Sequence, residues 1–83
     1  MPSVKPEPCL HRQQLGRNVA RFRQKRKMSQ EKLAEAVGIS SRYLQSLEAG
    51  EYFPSLPNLA RLKSVLSISW NDLFRGCDNP KFR

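Results

Sequence analysis

Ser41, Arg42, Gln45 and Ser46 are the residues of this 83-residue chain best equipped to recognise something specific. At roughly 100° per residue they share one arc of a helix, and Leu44 and Leu47 occupy the opposite arc. The outer arc carries side chains that can reach the base edges of a duplex: Arg toward guanine, Gln toward adenine, Ser toward either. Nothing else in the chain offers comparable chemistry. The lone His11, the distant Cys9 and Cys77 and the scattered carboxylates make no nucleophile–base constellation. They also lack a metal-ligand spacing. No catalytic residue, metal or cofactor is expected.

An arc of this kind must be held out by something rigid. Ser29 to Gly50, SQEKLAEAVGISSRYLQSLEAG, reads as two short helices joined by a tight turn. Leu33, Ala34 and Val37 keep helical spacing, as do Leu44 and Leu47. Gly38 stands where the first helix must stop, and a left-handed stop is open to Gly without a Cβ clash. Ile39 then points back inward. Ala34 is small enough to let two steeply crossing helices approach. Ser29 and Ser40 are natural N-caps, with Glu31 in the favourable first turn. Lys32 at the third position leaves the capping box incomplete. Gly50 ends the second helix.

This segment resembles the helix-turn-helix of the Xre family, the Cro and lambda-repressor-like DNA-binding domains. Gln30, Leu33, Ala34, Val37, Gly38, Ile39, Leu44, Leu47, Glu48 and Gly50 carry the likeness, which extends over about Leu15 to Phe74. From the residues alone, an ordinary αα-hairpin with a solvated polar face is the competing reading. The resemblance implies an all-α, five-helix lambda-repressor-like domain. It also implies an ion pair between Arg23 and Glu48 that ties the first helix to the recognition helix. Gln30 would bond a phosphate and brace a base-reading side chain. Arg17 and Ser40 join the expected phosphate-contacting or bracing set. Tyr43 has two readings, a hydroxyl given to a phosphate or a ring packed on the flank. Trp70, Leu73 and Phe74 would contribute to a dimer interface, against a Trp70 packed wholly within the monomer.

Around that core the chain divides into a flexible arm over 1–9, the helix-turn-helix domain over 10–76 and a basic tail over 77–83. Pro2, Pro6 and Pro8 argue against a helix before Cys9. A first helix from His11 or Gln13 to Arg26 buries Leu15, Val19 and Phe22, and Met28 just after it continues the stripe. Lys27 follows where the family often has Gly, so a left-handed residue there costs ~1–2 kcal/mol. Glu51, Tyr52, Phe53 and Pro54 replace the basic or amide loop common in the family. A fourth helix starts at Ser55, tolerates Pro57 in its first turn and buries Leu56, Leu59, Leu62 and Leu66. Ser69 and Asp72 have capping-box spacing for a short fifth helix.

Charge agrees with the motif. Lys and Arg number 15 against 7 Asp and Glu, a net charge of +8, which implies a polyanionic partner. No apolar run of about 18 residues suggests a membrane span. The cysteines read as reduced thiols, with a bridge between terminal segments as the alternative. The expected function is sequence-specific binding of double-stranded DNA by a cytoplasmic, nucleoid-associated regulator of bacterial or phage type. It would be a repressor acting as a homodimer on an inverted repeat. An antitoxin or other protein-interaction module that also binds DNA is the alternative, and a DNA-coating protein without sequence preference a further one.

Overall fold

The computed structural model describes residues 8–77, with side chains from residue 11 onward. Its helices are α1 (Pro8–Lys25), α2 (Gln30–Val37), α3 (Ser41–Glu48), α4 (Leu56–Leu66) and α5 (Trp70–Leu73). Among the described residues there is no strand, and no helix is long and apolar enough to cross a membrane. Helix α1 packs on α3, α4 and α5, and α2 packs on α3 and α4. Leu15, Val19, Leu33, Leu44, Leu47, Leu62 and Leu73 are completely buried where these helices meet.

The helix starts follow from their caps. Ser29, Ser40, Ser55 and Ser69 each accept a backbone N–H three residues on. Ser69 and Asp72 complete a reciprocal capping box. The Ser69 backbone and hydroxyl, with Arg75, hold the Asp72 carboxyl below its usual range. Helix α1 departs from expectation. It begins at Pro8, so the arm expected over 1–9 loses its last two residues to the helix. Proline suits a first helical position, because its φ is already helical and the missing N–H has no partner there anyway. The remainder of that arm, and the tail beyond Cys77, lie outside the described residues.

The helix ends use left-handed residues. Gly38 takes φ 89, as its position requires, and Ile39 turns back against the core. Lys27 does adopt the left-handed conformation, at φ 58. The Lys27 N–H donates to Gln24 and the Met28 N–H to Arg23. Those bonds close the last turn of α1 and offset the strain on Lys27. Ser67 does the same for α4, at φ 56. Arg26 adds a side-chain donor there, its Nε 2.9 Å from the Leu66 carbonyl.

One core assignment and one interface assignment need correction. Leu56 is 69 % exposed rather than buried, because it opens α4 before the helix axis has reached the core. Leu73, expected in a dimer interface, is fully buried and presents no surface. The buried polar residue Asn18 explains how α5 is held. Its amide donates to the Leu73 and Arg75 carbonyls, both at 2.8 Å, and its oxygen accepts from Gln14. Helix-terminal carbonyls have no partner inside their own helix, and Asn18 supplies one. Asn18→Ala should therefore cost roughly 1–3 kcal/mol. Thermal melting checks this, and hydrogen exchange should locate the loosening at α5.

Candidate nucleic-acid interface

Helix α3 is anchored at its base and free on its outer face. Leu44 and Leu47 hold its inner face. Near its end, the Arg23 Nε lies 2.7 Å from Glu48 Oε2, and Arg23 Nη2 lies 3.1 Å from Oε1. Arg23 Nη1 donates to the Met28 carbonyl at 2.8 Å. The Gln30 amide donates to Glu48 Oε1 at 2.9 Å. The pair is 12 % and 7 % exposed on its two side chains. One buried carboxylate thus joins the end of α1, the start of α2 and the end of α3. Gln30 braces that carboxylate.

On the outer face, Arg42 and Gln45 are exposed, and Ser41 and Ser46 are half-buried. Arg42, Gln45 and Ser46, with Ala49 and Glu51, line an open concavity of about 370 Å³. Ser40 caps the helix by accepting from the Tyr43 N–H at 3.0 Å. Tyr43 faces the flank. Its hydroxyl accepts from Asn58 Nδ2 at 3.1 Å, and its ring lies 4.7 Å from that of Tyr52. The Tyr52 hydroxyl donates to the Tyr43 carbonyl. Burial, then Tyr43 and Glu51, push the Tyr52 phenol well above its usual value, so it remains a donor. Arg17 is exposed on α1, one residue past a contact with the end of α3, and is not among the residues lining the concavity.

Gly16 makes that contact. A Cβ there would lie 2.5 Å from the Leu47 carbonyl oxygen and 2.6 Å from that of Glu48. Sequence reasoning missed Gly16 as it missed Asn18. Phe53 lies in the loop after α3, as expected, but its ring contact was not foreseen. Phe53 stacks on Phe74 with ring centroids 6.4 Å apart, and Phe74 on Trp70 at 5.8 Å. Phe53 is 47 % and Trp70 41 % exposed, and Lys63 Nζ lies 5.4 Å above the Trp70 ring. Trp70 is therefore not packed wholly within the monomer. Cys77 Sγ lies 3.9 Å from the His11 carbonyl, and burial pushes its thiol up. The pairing with Cys9 lies outside the described side chains.

A family model described as HTH_3, helix-turn-helix, matches residues 19–73. The chain belongs to the HTH_3 family. It is a DNA-binding helix-turn-helix protein of the transcription-regulator kind. The uncharacterized HTH-type transcriptional regulator y4dJ of Sinorhizobium fredii is 34% identical over 71 residues, 86% of this chain and 92% of the relative. Among solved structures, the restriction-modification controller protein C.AhdI of Aeromonas hydrophila is 31% identical with a TM-score of 0.71, over 75% of this chain and 94% of that one. The clp gene regulator ClgR of Corynebacterium glutamicum is 30% identical with a TM-score of 0.76, over 89% and 76%. The HTH_3 match covers α2, the turn at Gly38 and α3, the elements that carry the outer arc.

Proposed function

We infer that this protein is a sequence-specific repressor that binds an inverted repeat as a homodimer. The observation that carries this reading is the state of Arg42 and Gln45. Both are exposed, and neither side chain forms a hydrogen bond or ion pair among the described residues, while the helix beneath them is tied down by Glu48. Helix α3 enters the major groove, Arg42 and Gln45 read base edges, and Ser41 and Ser46 add contacts to either base type. Arg17, Ser40 and the hydroxyl proton of Tyr43 serve phosphates. The excess of basic residues releases counterions on binding, so affinity falls steeply with salt.

One such domain reads few base pairs, so two copies are needed. Their recognition helices would meet half-sites about 34 Å apart. The exposed rings of Phe53 and Trp70, stacked on the half-buried Phe74, support self-association, since apolar surface of this kind is enriched at interfaces. Repression follows from occupancy of the site.

Selection of bound duplexes from a random pool tests the reading. A two-fold consensus is expected, and absence of any consensus refutes it. Within the consensus, Arg42→Ala should lose ~1–3 kcal/mol of discrimination at particular positions, measured on a panel of single-base variants. An equal loss across the panel would remove Arg42 from the base-reading set. Trp70→Asp should cost self-association roughly 2 kcal/mol or more, read by sedimentation. If the wild type sediments as a monomer and co-purifies with a different protein, the same surface serves an antitoxin-like module instead.

A further inference from the structure

Glu51 is an acid at a surface suited to a polyanion. Gly50, at φ 81, reverses the chain after α3. The Glu51 N–H then donates to the Ser46 carbonyl at 3.0 Å, which fixes the residue to the end of α3. Its exposed side chain lines the concavity that Arg42, Gln45 and Ser46 line. Among the described residues no cation pairs with its carboxylate. Arg12 shares a second hollow with Glu51, yet its Nε turns to the Gly50 carbonyl, 3.4 Å away.

An ionised carboxylate only accepts hydrogen bonds. Phosphate oxygens repel it, and guanine N7 and O6 and thymine O4 are acceptors too. The donors in the major groove are the amino groups of cytosine and adenine, and adenine sets its amino group beside the N7 acceptor. Cytosine is the base that best compensates the charge. We propose that Glu51 is a further specificity-determining residue, which selects a cytosine in each half-site by accepting a hydrogen bond from its amino group. This rests on α3 occupying the major groove.

The test repeats the random-pool selection with the wild type, Glu51→Gln and Glu51→Ala, each checked for an unchanged melting curve. Glu51→Ala should keep the consensus elsewhere and lose preference at one cytosine per half-site. Discrimination there should fall roughly tenfold on single-base variants. Glu51→Gln, with a donor and an acceptor, should shift that position toward adenine. If both variants keep the wild-type consensus and simply bind every duplex more tightly, Glu51 acts by repelling phosphates and the inference is wrong. If the wild type selects no consensus, the regulatory reading fails and this inference fails with it.

Discussion

Glu48→Ala should lower the stability of the folded chain by roughly 3–5 kcal/mol, because it strands Arg23 in a site built for an ion pair. Both side chains are about nine-tenths buried, so water cannot readily replace the carboxylate. Arg23 would keep one acceptor, the Met28 carbonyl. Gln30 would lose the acceptor for its amide at the same time. Three elements therefore loosen together: the end of α1, the start of α2 and the end of α3. A small domain holds only ~5–15 kcal/mol in all, and the expected fall in melting temperature is on the order of 15 °C. Glu48→Gln should fall between wild type and alanine, since its carbonyl oxygen can still accept one bond from Arg23. Base preference of the remaining folded protein, measured in the cold, should barely change. A melting temperature equal to wild type would mean the pair contributes nothing, and the anchoring of α3 would then rest on Leu44 and Leu47 alone.

That pair also shows where sequence reasoning stops. Arg23 and Glu48 are 25 positions apart, and no periodicity or spacing joins them; the likeness to a family did. The caps were legible because each is a local signal. Ser29, Ser40, Ser55 and Ser69 each bond a backbone group three residues away, and Gly38 meets a requirement of its own φ. The two arcs of α3 were legible for the same reason, since burial of Leu44 and Leu47 turns Arg42 and Gln45 outward. Leu56 misled because a stripe counted from sequence includes the first residue of a helix, which the core does not reach. Leu73 misled because Trp70, Leu73 and Phe74 look alike in a chain, and only packing separates the fully buried Leu73 from the exposed Trp70 and the half-buried Phe74. Asn18 sits in the apolar stripe of α1 with nothing local to show that it serves carbonyls 55 and 57 positions away. Phe53 is in a loop, as its sequence suggests, but nothing local shows that it stacks on Phe74, 21 positions away.

Gly16→Ala should destabilise the protein by roughly 2–3 kcal/mol, although the same change in a free helix would stabilise it by about 1 kcal/mol. The sign turns on where α1 crosses α3. The new Cβ would lie 2.5 Å from the Leu47 oxygen, 2.6 Å from the Glu48 oxygen and 2.9 Å from the Glu48 carbonyl carbon. All three are backbone atoms, so no side chain can rotate away and the helices themselves must separate. Separation acts directly on the ion pair, because Arg23 belongs to α1 and Glu48 to α3. It acts equally on the packing of Leu15 and Val19 against Leu44 and Leu47 in the common core. The substitution should therefore lower the melting temperature and also lower duplex affinity, since the base of α3 shifts while Arg42 and Gln45 remain chemically intact. Combining Gly16→Ala with Glu48→Ala gives the sharper test. If the methyl group acts partly by prising the pair apart, the double variant should lose measurably less than the sum of the two single losses. Strict additivity would separate the crossing from the ion pair, and a rise in melting temperature for Gly16→Ala alone would show that α1 and α3 do not meet as closely as the backbone contact requires.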